Sequence, residues 1–157
     1  MVKNFDHVTI VVRELEAAKR FFGLLGFELD QSVVISGKVF SDYMGIPDIE
    51  ADHVTLVLTG ANPREEVQLL RYRVPDAEPN PNIEVLDKIG FNHICFAVED
   101  LESEVARLRA AGVETRNDVL KFHGRKLVFL RGPEGITVEL SERQNTETVS
   151  PPEESRR

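Results

Sequence analysis

Histidine occurs twice in this chain in the same local setting. His7 lies in "FDHVTIVVRELEAAKRFFGLLGF" (5–27), and His93 lies in "FNHICFAVEDLESEVARLRAAGV" (91–113). A single histidine on an apolar strand is as a rule a core residue with a hydrogen-bond partner, because it tolerates intermediate burial. Recurrence at matched positions argues for a role of the ring itself. An imidazole either ligates a metal through a neutral nitrogen or carries a proton near neutral pH. Two further side chains recur. Aligning Gly60 with Gly132 sets Gln68 against Glu139, the first turn being one residue longer. Taken singly, Glu139 in "ITVEL" and Gln68 in "EVQLL" read as well as solvent-facing strand residues, since period-two alternation can turn either outward.

The elements that must position these residues form a duplication. At one constant offset Phe5 matches Phe91, His7 matches His93, Val12 matches Val98, Leu15 matches Leu101, Glu16 matches Glu102 and Gly26 matches Gly112. "HVTIVV" and "HICFAV" are short apolar runs rich in β-formers and predict strands. "LEAAKRFFGLLG" and "LESEVARLRAAG" carry apolar residues at helical spacing and stop at glycine. "ELDQSVVIS" and "ETRNDVLKF" supply a further strand each. "HVTLVLTGANPREEVQLLRY" and "RKLVFLRGPEGITVELSE" read strand, Gly/Pro turn, strand. The fold class is α+β, with two tandem βαβββ modules at 3–73 and 91–142. A linker at 74–90 carries Pro75, Pro79 and Pro81. "SGKVFSDYMGIPDIEA" lengthens the first module as a loop with a helical turn. The polar, proline-bearing tail at 143–157 predicts disorder.

Bulk properties narrow the classes. The 157 residues are 41% hydrophobic and 29% charged, ordinary for a globular domain able to bury a core. A net charge of −8 argues against nucleic acid, whose binding needs a basic footprint. No apolar run reaches the length of a membrane span. "MVKNFDHVTIVV" enters a patterned strand without a signal-peptide layout. The one cysteine, Cys95, allows no intramolecular disulfide and fits a reducing compartment. Cys95 itself reads as a small buried hydrophobe and not as a nucleophile. These features predict a cytoplasmic, soluble protein with a small-molecule or protein partner.

The double βαβββ layout, with "DHV", "NHI" and "GPEGITVEL", resembles the vicinal oxygen chelate superfamily over roughly residues 3–142. That superfamily includes glyoxalase I, methylmalonyl-CoA epimerase, extradiol dioxygenases, fosfomycin-resistance thiol transferases and bleomycin-binding proteins. The resemblance implies curved sheets around a metal-containing cavity, with His7, Gln68, His93 and Glu139 as the metal ligands. Two imidazoles, one carboxylate and one amide oxygen suit a borderline divalent cation such as Zn, Ni, Co, Mn or Fe. With one anionic ligand the site keeps positive charge and open positions, fit to polarise a bound oxygen.

The ligand set resembles that of methylmalonyl-CoA epimerase and stands near that of glyoxalase I. Both reactions take a proton from carbon beside a carbonyl while a metal holds the enediolate. The resemblance assigns the proton transfers to Glu139 and the enzyme to the lyases or isomerases. One departure is plain. Where the epimerase has a second glutamate, this chain has Thr55; His53, two positions earlier and on the same face by alternation, is the candidate replacement base or substrate contact. Glu66, two residues before Gln68, ranks below it.

The alternatives fit less well. An extradiol Fe(II) dioxygenase would carry tyrosine where this chain has Phe129, His123 falls too close to the hairpin, and Gln68 has no counterpart there. A fosfomycin-type enzyme would use Thr9 near substrate, though threonine suits any half-buried strand. A metal-free bleomycin-type binding module conflicts with the intact ligand set. Alternation back from Leu127 and Phe129 places Arg125 and His123 on one face. Arg125 suits a substrate carboxylate or phosphate, or else stands exposed beside Lys126. Tyr43, Met44, Ile46 and Tyr72 are candidates for an apolar pocket mouth. Open sheet edges predict a homodimer.

Overall fold

The computed structural model describes residues 1–144, so most of the tail expected to be disordered lies outside the described residues. The chain divides into two compact units. One comprises Met1–Asn92 with Arg131–Thr137, and the other His93–Leu130 with the segment from Val138 onward. Among the described residues no helix is long and apolar enough to cross a membrane.

The first unit holds a four-stranded sheet. Its elements are β1 (His7–Val11), α1 (Leu15–Leu24), β2 (Phe27–Ser36), α2 (Lys38–Met44), β3 (Glu50–Leu58) and β4 (Glu66–Val74), with strand order β1-β4-β3-β2. β1 runs parallel to β4, and β3 pairs antiparallel with both β4 and β2. The parallel pair follows from α1, which carries the chain back before the next strand begins. α1 buries Ala18, Phe21 and Phe22, and the Phe22 ring meets Phe27 edge-on at 5.8 Å. One sheet face supplies Val54, Leu56, Val67 and Leu69, all buried. The opposite face is left for the polar residues described below.

Glu14, the N-cap of α1, makes no side-chain capping bond. The Glu134 carboxylate does that work instead, accepting from the backbone N–H of Arg13 at 2.7 Å and of Glu14 at 2.9 Å. An anion there also complements the positive end of the helix. Glu134 belongs to the short 3₁₀ turn Pro133–Gly135.

The second unit repeats the plan with shorter strands: β5 (Ile94–Ala97), α3 (Leu101–Ala110), β6 (Leu120–Phe122), β7 (Arg125–Arg131) and β8 (Thr137–Arg143), ordered β5-β8-β7-β6. β5 is parallel to β8. Asp100 caps α3 by accepting from the Ser103 N–H at 3.0 Å. Leu101, Val105 and Leu108 are its buried stripe.

Two expected elements differ in extent. The insertion at 36–51 contains a seven-residue helix, α2, ended by Gly45 in the left-handed region at φ 67°, where a single helical turn was expected. "ETRNDVLKF" becomes a strand only over Leu120–Phe122, with an isolated bridge between Thr115 and Leu130. The cause is Asn117. Its side-chain oxygen accepts from the Phe129 N–H at 2.9 Å, taking the place of a backbone partner in the ladder.

Candidate functional site

Register decides which side chains share a face. In the first sheet Thr9 stands opposite Gln68, Gln68 opposite Thr55, and Thr55 opposite Gln31. The neighbouring rows set His7 against Glu66, and Val11 against Leu70, His53 and Val33. Alternation therefore collects His7, Thr9, His53, Thr55, Glu66 and Gln68 on one face of one unit. All six are candidates read from the sequence, Glu66 the lowest-ranked of them. Thr55 is buried, His53 and Gln68 are half-buried, and His7 and Thr9 are exposed.

These side chains are hydrogen-bonded to one another. Gln68 Oε1 lies 3.1 Å from His53 Nε2 and accepts from Thr9 Oγ1 at 3.5 Å. Gln68 Nε2 donates to Glu66 Oε2 at 2.9 Å. Arg64 Nε donates to Glu66 Oε1 at 2.6 Å, and its Nη2 reaches Asp30 at 2.8 Å. The bonds from Gln68 and then Arg64 hold the Glu66 carboxyl below the ordinary carboxylate range. His7 Nδ1 pairs with Asp6 at 2.5 Å.

The second unit has the matching arrangement. Cys95 stands opposite Glu139 in the β5–β8 register, as Thr9 does opposite Gln68. His93 Nε2 lies 3.5 Å from Glu139 Oε2 and its ring packs against Phe129, centroids 5.1 Å apart. Cys95 is exposed as a residue, not buried as expected. Its thiol is nonetheless pushed up to about 12, first by desolvation of the sulfur and then by its hydrogen bond with Glu139; Arg125 opposes this weakly. The thiol form is thus favoured at neutral pH, which argues against a nucleophilic role.

His123 is a correction. It is not on a strand with Arg125, Leu127 and Phe129. Phe122 pairs with Arg125, so His123 and Gly124 form a two-residue hairpin turn with φ 46° and 69°. Both values are positive, as a type I′ turn requires. The His123 ring stacks edge-on to Phe122 at 4.0 Å and is exposed. Arg125 is the first residue of β7 and half-buried. Sequence reasoning missed Asp6 and ranked Glu66 too low. Oxygen atoms of both gather with a His7 ring nitrogen within 4.8 Å of one another. The signal was available in "DH", where a carboxylate precedes the ring it can orient.

A family model described as the glyoxalase/bleomycin resistance protein/dioxygenase superfamily matches residues 4–140. The chain belongs to that superfamily. The ethylmalonyl-CoA/methylmalonyl-CoA epimerase of Cereibacter sphaeroides is 30% identical over 151 residues, covering 90% of this chain and 99% of that protein. Glyoxalase I of Saccharomyces cerevisiae is 30% identical over 141 residues, which are 88% of this chain and 38% of the yeast enzyme. The crystal structure of a glyoxalase family protein from Bacillus cereus aligns with a TM-score of 0.82 at 25% identity, covering 92% of this chain and 96% of that one. Its relatives in the superfamily thus include enzymes of two reaction types.

The donors present fit the divalent metal that the superfamily implies. Two ligands of one ion, each bonded at about 2.1 Å, sit roughly 3.0–3.4 Å apart. The 3.5 Å between His93 Nε2 and Glu139 Oε2 is close to that and long for a hydrogen bond. His7 has the second feature of a ligating histidine, a carboxylate on its other nitrogen.

Proposed function

We propose that this superfamily member is a divalent-metal-dependent enzyme of the glyoxalase and epimerase kind, moving a proton at carbon beside a carbonyl of a small molecule. Its metal ligands are His7, Gln68, His93 and Glu139. The observation that carries this reading is the repeated register, Thr9 against Gln68 and Cys95 against Glu139, with a histidine standing two residues before Thr9 in one unit and two residues before Cys95 in the other. Zn, Ni, Co, Mn or Fe suits two imidazoles, an amide oxygen and one carboxylate. When bound, the ion supplies positive charge beside the carbonyl oxygen and lowers the cost of negative charge there.

The chain's own groups do the rest. Glu139 is the acid/base: a carboxylate with a thiol donor beside it can take the proton and return it. His53, half-buried next to Gln68, serves as the second proton carrier where the epimerase pattern has a glutamate and this chain has Thr55. Thr9, Thr55 and Arg125 contact substrate, with Arg125 taking a carboxylate or phosphate. Exposed Leu29 and Val34 on the edge strand β2, with Val39 and Tyr43 on α2, support a homodimer, which sedimentation would test.

The test is metal content of chelator-free protein, wild type and the H93A and E139A variants, with solvent deuterium incorporation into methylmalonyl-CoA as the activity readout. Stoichiometric Zn, Ni, Co or Mn, lost in both variants, supports the reading. Oxygen-labile Fe(II) would move it to the extradiol dioxygenases. Wild-type protein that stays metal-free after reconstitution would make it a binding module.

A further inference from the structure

We infer that Glu66 is a positioning residue: clamped by Arg64, it fixes which end of the Gln68 amide faces His53, and thereby which His53 nitrogen carries the proton. The chain of contacts runs Asp30, Arg64, Glu66, Gln68, His53, with separations of 2.8, 2.6, 2.9 and 3.1 Å.

Each link has only one polarity. A guanidinium only donates and an ionised carboxylate only accepts. Glu66 Oε1 is occupied by Arg64, so Oε2 is the atom left to receive Gln68. The amide end that meets it must be the NH₂ group. The other end, Oε1, then points at His53 Nε2, and an amide oxygen accepts without donating. Nε2 must therefore bear the hydrogen, and Nδ1 is the free acceptor of the neutral ring. Thr9 Oγ1 stands 3.5 Å from the same oxygen, at the limit of hydrogen-bond reach.

The consequence is chemical. Gln68 presents an oxygen and not an amine, and His53 meets the site as an N–H donor. The inference concerns the metal-free side chains; a metal on Gln68 Oε1 would take one of the two lone pairs that His53 and Thr9 otherwise share.

Glu66→Gln makes a sharp test because it keeps shape and removes one acceptor. Arg64 would retain the single oxygen of the new amide, turning its NH₂ toward Gln68. Gln68 must then flip, offering its own NH₂ to His53 Nε2, which has to lose its hydrogen to accept. The measurement is a long-range ¹H–¹⁵N correlation on the full-length, chelator-treated protein at pH 8.5, about two units above the ordinary imidazole value. His53 is assigned with an H53Q variant. The expected result is the Nε2–H tautomer in the wild type and predominantly the Nδ1–H tautomer in E66Q, with backbone resonances away from the site unchanged. A wild-type ring in the Nδ1–H form would overturn the inference without any variant. So would an E66Q ring that stays Nε2–H in a folded protein.

Zinc calorimetry on the same two proteins reads the metal assignment separately. A flipped amide turns its oxygen from the site, so affinity falls by about 10–100-fold in E66Q. A tautomer switch with unchanged zinc affinity would remove Gln68 from the ligand set and leave Glu66's positioning role standing.

Discussion

Cys95 stands directly opposite Glu139 in the parallel register of β5 and β8. Thr9 holds the same place opposite Gln68 in the first unit, so duplication has kept a small donor beside the last-strand oxygen while changing the chemistry of both. Hydroxyl faces amide in one unit, and thiol faces carboxylate in the other. A neutral donor beside Glu139 steadies the carboxylate without cancelling its charge.

Desolvation of the sulfur, together with that pairing, predicts an unreactive thiol. With its pKa near 12, Cys95 is almost wholly protonated at pH 8, whereas a free cysteine is partly thiolate there. Iodoacetamide should modify the native, chelator-treated protein about 10³-fold more slowly than the same protein in urea. Equal rates would show that neither desolvation of the sulfur nor the carboxylate governs the thiol.

Asp6 orients His7 from its Nδ1 side. Removing that carboxylate by Asp6→Ala should lower metal affinity by about 10–100-fold in calorimetry, the usual cost of losing an outer partner of a ligating histidine. Thermal stability should hardly move, because both residues are exposed. Asp6→Asn keeps an acceptor and should fall between the two. It converts "DH" into the "NH" of the second module.

Much of this was legible in the sequence because duplication prints the same physical constraint twice. The alignment of Gln68 with Glu139, made on glycines in two turns, coincides with the register of both sheets. His123 was misread for a local reason. A two-residue turn with both φ values positive is advertised by Asn-Gly or Asp-Gly, and His-Gly adopts it without that signal. Cys95 was expected in the core because its composition suggests it, yet β5 is an edge strand with one exposed face. The Asp30–Arg64–Glu66–Gln68 chain was invisible for a third reason. It links residues from β2, the β3–β4 turn and β4, and no periodicity marks a contact of that kind.

Asp52 gives the fold a pH dependence of known sign. It is nearly buried on β3, with Arg73 Nη2 at 2.6 Å and Arg71 Nη2 at 2.7 Å. The Arg73 bond, with help from Arg71 against a desolvation cost, holds its carboxyl below the ordinary value. A carboxylate depressed in the folded state stabilises it above the unfolded pKa of about 3.9, and that stability drains away as pH falls through the folded value. Asp52→Asn should therefore cost about 1–3 kcal/mol at pH 7, the guanidinium partners being part-exposed. The gap from wild type should narrow as pH falls below about 4 and close only below the folded value. A series of urea titrations from pH 7 down to pH 2 measures it, and a gap that does not narrow over that range would mean the charge is not its source.

The two helices offer a test of how evenly the duplicated cores carry stability. Phe22 on α1 is fully buried against Phe27, and Leu108 on α3 is 1% exposed, in the position that the repeat matches to it. Truncating either leaves a void that the surrounding sheet residues can close only in part. Phe22→Ala should cost about 3–5 kcal/mol and Leu108→Ala about 2–5 kcal/mol. The difference depends on how far each site collapses. The second unit, with its three-residue β6 and shorter ladders, has less regular structure to resist relaxation. Leu108→Ala should therefore fall toward the lower end of its range. Urea unfolding of the two variants, followed by hydrogen exchange to assign the loss to one unit, checks this. A larger cost for Leu108→Ala would show that the second core is packed as tightly as the first.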